Sequence, residues 1–491
     1  MSDDAACSLP TGQLLAVATT GPLAAAPATS ARPAHRGRPG ADGTPEQIHL
    51  TWGDDPTRSV VVSWASPGQA QAPRVRIGQR VIHAAERGHL DGRTGEVTWT
   101  YHALVDGLRP GGTYGYAVTA DNDANAADPF SATFSTAPEG RAAFRFTSFG
   151  DLATPNARWA SSYGRSAYAV GAVEIFQPLF HLLNGDLADA DLNPASQPQV
   201  WRDFGNNIQA SAANRPWMPV PGNHEVEFGN GEQGLASYLA RYSLPANGVP
   251  EFAGRWYQFR IGTVAFVCLS GDDVAYQLRG FSGGAQTRWL EATLAAARGD
   301  SSIDWVVVQF HQCACSSSQA GNGSDLGIRQ EWLPLFDRYE VDLVLCGHDR
   351  GYERSFPVRG FDSADTLRPH PVTVVDSGVF DTSQGTVHLV LGCGGSDANL
   401  AASCRADATE AATWSARRDT ATGYGVAVFD VNPGAEAGGQ TSITVRYYHA
   451  VDADPAQGTP TDDYSLFETF TLVRPRSDGR RWHPKEPPPA R

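Results

Sequence analysis

Two patterns of hydrophobic and polar positions divide the chain. From 46 to 137, apolar and polar residues alternate in short runs, at 48–52, 60–64, 97–101 and 114–118, with turn-forming residues between them. Alternation of this kind is typical of strands that bury one face, and closely spaced short strands favour two packed sheets. We therefore expect a β-sandwich domain at 46–137.

The second pattern begins at Phe144, where short, fully apolar runs are separated by helix-like segments. This pattern predicts an α/β domain, which we place at 143–474. Five of the apolar runs end directly before polar residues, namely Asp151, Asp186, the triplet Asn223-His224-Glu225, His311 and the pair His348-Asp349. Because ligands bind outside the carboxyl ends of strands in open α/β sheets, we expect these side chains to meet in one crevice.

The residue types in this set predict a metal centre. Oxygen and nitrogen ligands occur together in Asp151, Asp186, Asn223, His311 and His348. Such mixed ligands suit zinc, manganese or iron better than calcium, and they differ from a site built from thiolates. The cysteines offer no zinc cluster, because the only closely spaced pair lacks the second pair that such a cluster needs.

The order of these motifs resembles the metallophosphoesterase (calcineurin-like) superfamily. The matching sequences are Gly-Asp, Gly-Asp-Leu, Gly-Asn-His-Glu, a strand that ends in His, and Gly-His-x-x-x-Tyr-Glu-Arg-Ser. More closely, the chain is similar to the purple acid phosphatases, in which a β-sandwich also precedes the catalytic domain. Residues 104–116 resemble the strand-turn-strand end of a fibronectin type III module. The resemblance implies a fibronectin type III-like sandwich followed by a four-layer αββα catalytic domain.

The resemblance also implies a role for each residue of the set. Asp186 would bridge two metal ions, and Asn223, His311 and His348 would complete the ligands of the second ion. Asp151 would bind the first ion, which is usually ferric in the family. His224 would contact the substrate phosphate and protonate the leaving group.

Three neighbouring residues are expected to support this set. Glu225 would orient His224 or its turn, while Asp349 and Tyr352 would brace the loop that carries His348. The expected cofactor is one or two divalent or trivalent ions, of iron, zinc or manganese, with the second site better defined than the first.

Two positions of the first site depart from the family. Asp189 stands where the family has the tyrosine that binds the ferric ion and gives the purple colour, and Arg350 stands where it has a histidine ligand. An arginine side chain keeps its charge and cannot bind a metal ion. In one arrangement, the aspartates at 151, 186 and 189 hold a hard ion such as manganese or magnesium together with water. In the other, which we favour, Arg350 fills the vacated position and pairs with Asp151 and Asp189.

The expected function is hydrolysis of a small-molecule phosphate monoester by metal-activated water, with His224 as phosphate binder and general acid. Asp189 and Arg350 are further catalytic candidates. The altered first site leaves two alternatives open. One is a mononuclear metalloenzyme in which Asp186, His311 and His348 support non-hydrolytic iron chemistry. The other is a phosphate-binding protein with weak turnover or none.

Composition narrows the range of partners. The chain has 38 Lys and Arg residues against 53 Asp and Glu, which gives a net charge of −15 and disfavours nucleic acid as a partner. No apolar run reaches the length of about 18 residues that a membrane-spanning helix needs. No heptad pattern marks an oligomer interface, so the oligomeric state stays open.

The two ends of the chain have a different composition. Residues 1–44 are rich in Ala, Pro and Gly and predict a disordered leader. Asp3 and Asp4 stand where a signal peptide carries positive charge, so the sequence leaves secretion and a cytoplasmic location equally open. Residues 475–491 are charged and proline-rich and predict a disordered tail.

Cys393 and Cys404 flank a loop and are candidates for a disulfide bond.

Overall fold

The computed structural model describes residues 43–159, 165–275, 280–318, 323–363, 366–396, 406–419, 423–451, 463–479 and 481–485. The predicted leader, apart from 43 and 44, lies outside the described residues. Cys393 has a free thiol, and Cys404, its predicted disulfide partner, also lies outside the described residues. Among the residues described, no helix has both the length and the apolar character needed to cross a membrane.

The N-terminal domain is a sandwich of two four-stranded sheets. Its strands are β1 (Glu46–Trp52), β2 (Val60–Ser66), β3 (Arg74–Ile77), β4 (Arg80–His83), β5 (Ala85–Leu90), β6 (Val97–Val105), β7 (Thr113–Thr119) and β8 (Phe130–Ser135). One sheet has the order β1-β2-β6-β5 and the other the order β4-β3-β7-β8. Val62, Trp64, Tyr101 and Phe134 belong to a core of their own within this domain. The predicted β-sandwich is confirmed.

The second domain alternates strands and helices in its first half and is mostly strands in its second half. The elements are β9 (Phe144–Phe149), α1 (Arg165–Phe176), β10 (Phe180–Asn184), α2 (Gln197–Ala212), β11 (Trp217–Val220), α3 (Ala236–Arg241), β12 (Tyr257–Ile261), β13 (Val264–Cys268), α4 (Ala285–Gly299), β14 (Trp305–Gln309), α5 (Leu326–Glu331), α6 (Leu333–Arg338), β15 (Leu343–Ser355), β16 (Val358–Phe361), β17 (Pro369–Pro371), β18 (Val379–Asp381), β19 (Val387–Gly392), β20 (Ser415–Asp419), β21 (Gly425–Asn432), β22 (Gln440–Ala450) and β23 (Tyr464–Pro475). Short 3-10 turns lie at Ala157–Trp159, Ala190–Leu192, Asn223–Glu225, Pro250–Phe252, Gly271–Asp273 and Ser477–Gly479.

Two sheets form the centre of this domain. The first has the order β11-β10-β9-β21-β22-β23-β18, and the second has the order β12-β13-β14-β15-β19, with β20 paired to β15. Phe146 of β9 stacks on Phe429 of β21 at 4.4 Å between ring centroids, and it meets Phe266 of β13 edge-on at 5.3 Å. The two sheets therefore pack face to face.

Helices cover the outer faces of both sheets. Side chains alternate along a strand, so Val267 of β13 points away from the first sheet, and it packs with Leu290 and Leu294 of α4 and with Phe336 of α6. Helices α1 and α2 add Val170, Val173, Val200 and Phe204 to the core of the first sheet. The four-layer αββα arrangement is confirmed.

The end of the chain differs from the disordered tail predicted for 475–491. Arg476 and Ser477 are buried, and the backbone N–H of Ser477 donates to Asp304 at 2.8 Å. The Trp482 ring stacks on Tyr339 with the centroids 5.7 Å apart. This part of the chain is therefore packed against the second domain as far as it is described, to 485.

The start of β15, the strand that carries His348, is held by a buried carboxylate. Asp342 has no exposed surface, and its side chain accepts hydrogen bonds from Val306 N at 2.8 Å and from the Thr382 hydroxyl at 2.6 Å. The guanidinium groups of Arg298 and Arg474 are paired with the same carboxylate. One side chain thus ties β15 to β14, α4 and β23.

Replacing Asp342 with Ala should lower the free energy of unfolding by about 3 to 5 kcal/mol, because it removes the carboxylate paired with buried Arg298 and leaves buried Arg474 with Glu340 alone. Urea denaturation of the wild type and the variant measures this change. Asp106→Ala is the matched control, since Asp106 and Arg80 form an exposed pair at 3.1 Å, and its loss should cost less than about 1 kcal/mol. Equal losses in the two variants would contradict the role assigned to Asp342.

Candidate metal centre

The carboxyl ends of five strands meet at one edge of the paired sheets. Asp151 follows β9, Asp186 follows β10, and His311 follows β14. Asn223 and His224 lie in the 3-10 turn after β11, and His348 lies within β15. The contacts below show that the predicted ligands and His224 lie together in one crevice.

The backbone is tightly folded at this edge. Asp151, Asp186 and His348 have positive φ angles of 61°, 50° and 67°. This left-handed region is unfavourable for residues with a side chain, and such strain is concentrated at functional sites. Gly222 allows the next turn to approach closely, because a Cβ atom there would lie 2.4 Å from a carboxylate oxygen of Asp186.

Three of the predicted ligands form one donor set. Asp186 Oδ1 lies 3.0 Å from His311 Nε2, and His311 Nε2 lies 3.3 Å from His348 Nδ1. These three residues each offer one ligand atom, and the three atoms lie within 4.8 Å of one another. Asn223 Oδ1 is buried without a hydrogen-bond partner. The set therefore offers one carboxylate and two imidazole nitrogens to a single ion, and Asn223 Oδ1 is a further oxygen without a partner in the turn after β11.

Hydrogen bonds favour the metal-binding forms of the two histidines. His311 Nδ1 lies 2.7 Å from the carbonyl oxygen of Asn184, so it carries the proton and leaves the lone pair of Nε2 directed at Asp186. Burial, together with the neighbouring His311, lowers the pKa of His348 to about 3, which keeps that imidazole neutral. The Asp186 carboxylate lies 3.0 Å from His311 Nε2 and raises the pKa of His311, so the pair favours a positive charge between these two atoms, which either a proton or a metal ion supplies. The residues present thus fit a bound cation.

Arg350 lies among the carboxylates that the sequence analysis assigned to a first ion. Its guanidinium is paired with the carboxylate of Asp151, and its Nη1 lies 3.4 Å from Asp186 Oδ2. Its Nη2 lies 3.7 Å from Asp189 Oδ2, and only 6% of the arginine side chain is exposed. Of the two arrangements that the sequence left open, the structure places the arginine among the three carboxylates.

Asp189 is fully buried beside this arginine. Its backbone has a φ angle of 54°, and the Ser396 hydroxyl donates to its Oδ2 at 3.0 Å. Burial raises the pKa of Asp189 to about 7. Ser396 is a partner that the sequence did not predict.

His224 is partly exposed at the crevice, with 20% of its side chain accessible. Its Nε2 lies 3.8 Å from Asp186 Oδ2, and its Nδ1 lies 2.8 Å from Asp191 Oδ1. Burial opposes protonation, but the carboxylates of Asp186, Asp191 and Asp189 outweigh it and raise the pKa of His224 to about 11. His224 is therefore an imidazolium with a proton on Nε2 to donate.

Sequence reasoning missed Asp191, the partner of His224. Asp191 lies in the 3-10 turn Ala190–Leu192, two residues after Asp189. The Asp-Ala-Asp spacing was the only available signal, and two acidic residues at this spacing are common on protein surfaces.

Glu225 holds the turns rather than the ring of His224. Its carboxylate accepts hydrogen bonds from the backbone N–H groups of Asp186 at 3.0 Å, Leu187 at 2.8 Å and Gly222 at 2.7 Å. These bonds join the loop after β10 to the loop after β11. Glu225 therefore fixes Asp186 and the turn of His224 relative to each other.

Asp349 and Tyr352 follow His348 in β15. Asp349 is buried and lines a small cavity with Ser316 and Glu353, and burial raises the pKa of its carboxyl to about 7. Tyr352 stacks on Tyr447 of β22 at 3.9 Å between ring centroids. Its hydroxyl donates to Glu468 of β23 at 2.5 Å. Tyr352 thus joins the second half of β15 to the first sheet.

Comparison with known proteins identifies the family. The family model for the purple acid phosphatase N-terminal domain matches residues 45–137, and the model for calcineurin-like phosphoesterases matches residues 144–351. An uncharacterized protein of Mycobacterium tuberculosis is 40% identical over 486 residues, which cover 90% of this chain and 89% of the relative. The Fe(3+)-Zn(2+) purple acid phosphatase 12 of Arabidopsis thaliana is 24% identical, over 65% of this chain and 66% of the relative.

The fold is also found among solved structures. The structure of purple acid phosphatase PPD1 from yellow lupin (Lupinus luteus) seeds has a TM-score of 0.65 at 18% identity. The match covers 89% of this chain and 75% of the lupin chain. The chain therefore belongs to the purple acid phosphatase-like metallophosphoesterases, a family of phosphatase-like hydrolases.

Proposed function

We propose that this protein hydrolyses phosphate monoesters of small molecules with a single metal ion. Asp186, Asn223, His311 and His348 hold the ion, and Arg350 replaces the second ion of the family. The observation that carries the proposal is the contrast between two adjacent positions. One has an assembled set of oxygen and nitrogen donors, and the other has carboxylates that are already paired with an arginine.

The donor set suits iron, zinc or manganese. One carboxylate, one amide oxygen and two neutral imidazoles are ligands that these ions accept together. The Arabidopsis relative is named for iron and zinc, which supports the same range here. When bound, the ion supplies Lewis-acid polarisation of the phosphoryl group.

Arg350 neutralises negative charge that a metal ion would otherwise neutralise. Three carboxylates, those of Asp151, Asp186 and Asp189, lie around its guanidinium. An unpaired buried carboxylate is costly, and a second buried carboxylate nearby increases that cost. Because its side chain is almost fully buried, Arg350 acts as a fixed positive charge behind the site of reaction.

His224 delivers a proton to the leaving group. The contact between Nδ1 and Asp191 at 2.8 Å fixes the ring, so that Nε2 faces the crevice. The imidazolium first pairs with the negative phosphate and then protonates the oxygen of the departing alcohol. The partial exposure of this side chain gives a substrate access to it.

Restoring the family residues in the double variant Asp189→Tyr/Arg350→His should add a second ion. The wild type should hold one ion per chain and lack visible colour. The double variant should approach two ions per chain and, with iron, gain a visible absorption band, because it regains a phenolate and an imidazole ligand. Elemental analysis and absorption spectroscopy of protein purified without chelators measure both quantities.

Arg338→His is the control for this experiment, because Arg338 forms an exposed pair with Glu291 and has no contact with the site. Its metal content should equal that of the wild type. Two ions in the wild type would contradict the single-ion proposal. A double variant that folds and still holds one ion would also contradict it.

His224→Ala should lower kcat by about 100- to 10,000-fold, the usual contribution of a general acid or base. The loss should be larger for glycerol phosphate than for p-nitrophenyl phosphate, because p-nitrophenolate leaves without help from an acid. Metal content should not change. Steady-state kinetics on both substrates check the prediction.

His370→Ala is the matched control, because His370 also pairs with an aspartate, at 2.6 Å from Asp362, on another part of the domain. Its kinetics should match the wild type. Equal losses on the two substrates in His224→Ala would show that His224 binds phosphate without acting as an acid.

A second candidate function is non-hydrolytic chemistry at a single iron ion. The specific observation in its favour is the set of one carboxylate and two imidazoles in Asp186, His311 and His348, which is the ligand set of many mononuclear iron enzymes. Anaerobic reconstitution with ferrous iron, followed by an oxygen-uptake assay, distinguishes the two functions. Uptake without phosphatase activity would replace the first proposal. Tight phosphate binding with neither activity would point to a binding protein.

A further inference from the structure

Buried polar side chains attach the loop after His224 to the N-terminal sandwich. We propose that this attachment, centred on Asn230, positions His224 for proton transfer, so that the sandwich is a working part of the active site. The inference rests on the proposed role of His224 and adds a positioning residue to it. Asn230 and its contacts lie outside the donor set described above.

Asn230 joins the two domains through both ends of its amide. Its Nδ2 donates to Asp91 Oδ2 in the sandwich at 3.0 Å and to Glu227 Oε2 in its own loop at 2.7 Å. Its Oδ1 accepts a hydrogen bond from the backbone N–H of Gly92 at 2.8 Å. Asp91 and Gly92 lie in the turn between β5 and β6.

The network is closed to solvent. Asp91, Asn230, Glu227 and Trp201 are each at most 2% exposed. The Trp201 indole N–H donates to Glu227, and Asp91 Oδ1 accepts from the backbone N–H of Thr94 at 2.7 Å. Among the described residues, Asn230 is thus the side chain that donates hydrogen bonds to both the Asp91 and the Glu227 carboxylates. Without its amide, the two carboxylates would lose the hydrogen-bond donor that joins them, and the buried Arg241 guanidinium would be the charge that remains near both. The attachment of the loop to the sandwich would then be weaker.

Short chain segments connect this network to His224. Glu225, the next residue, is bonded to the loop after β10 through Asp186 and Leu187. Glu227, three residues after His224, is bonded to Asn230. His224 is therefore followed by one anchor in the catalytic domain and one that leads to the sandwich.

Proton transfer is sensitive to such anchoring. A general acid must lie within hydrogen-bond distance of the atom that it protonates, and a misplacement of about 1 Å can cost roughly 100-fold in rate. The ring of His224 is held by Asp191 from one side only. The backbone of His224 is held by its own N–H, which donates to Asp186 Oδ1 at 3.1 Å, and by the two anchors that follow it in the loop.

The test uses Asn230→Ala and the isosteric Asn230→Asp in the full-length protein. Both variants should lower kcat for glycerol phosphate by about 10- to 100-fold with little change in KM. The loss should be smaller for p-nitrophenyl phosphate, and metal content should equal that of the wild type. Hydrogen exchange of residues 222–235 should be faster in both variants.

Tyr116→Phe is the matched control. The Tyr116 hydroxyl donates to the carbonyl oxygen of Ala213 at 2.7 Å, which is another buried bond between the two domains, remote from His224 in the chain. This variant should lose thermal stability but keep the kcat of the wild type and its exchange at 222–235.

Unchanged kcat in the folded Asn230 variants would overturn the proposal, and so would equal losses of kcat in those variants and in Tyr116→Phe. Exchange at 222–235 that stays at the wild-type rate would also overturn it. A wild type without phosphatase activity would refute the proposed function instead. The exchange experiment would then still report whether Asn230 holds the loop of His224.

Discussion

Burial of three carboxylates at one point is the constraint on which the rest of this site depends. Asp151, Asp186 and Asp189 are at most 1% exposed, and they lie around a single position at the ends of two strands. Such a group is stable only with positive charge close by. Arg350 supplies one positive charge inside the group, and the imidazolium of His224 supplies another at its edge.

The donor set that contains His311 and His348 also depends on this buried negative charge, because Asp186 belongs to both groups. Asp186 faces both the arginine and these histidines, so its two oxygens are shared between a fixed cation and a set that fits a metal ion. A fixed guanidinium cannot exchange or change its charge, whereas a metal ion can accept a substrate oxygen. Under the proposed function, the site would keep the metal-binding half of a two-metal centre, and Arg350 would supply the positive charge of the other half.

The fold could be predicted well because hydrophobic and polar residues recur along the sequence in regular patterns. Alternation in short runs predicted the sandwich, and apolar runs that end in polar residues predicted the parallel strands and named the candidate ligands. Asp186 and His311 are far apart in the chain, yet each follows a strand, and strand ends meet by geometry. The exchange of a histidine for Arg350 was visible because the motif around it is intact.

The features that the sequence did not predict are contacts between residues far apart in the chain, which leave no pattern in the local sequence. Asp91 and Asn230 are 139 residues apart, and neither lies in a motif. Asp191 is distinguished from any other acidic residue in a turn only by the approach of His224. The packing of Trp482 on Tyr339 depends on a surface that exists only in the folded domain.

The most direct measurement is a crystal structure of the wild-type protein with anomalous diffraction data at the absorption edges of iron and zinc. The account predicts one anomalous peak, between Asp186, His311 and His348, with the Arg350 guanidinium beside Asp151. A second peak between Asp151 and Asp189, with Arg350 displaced from them, would contradict the account.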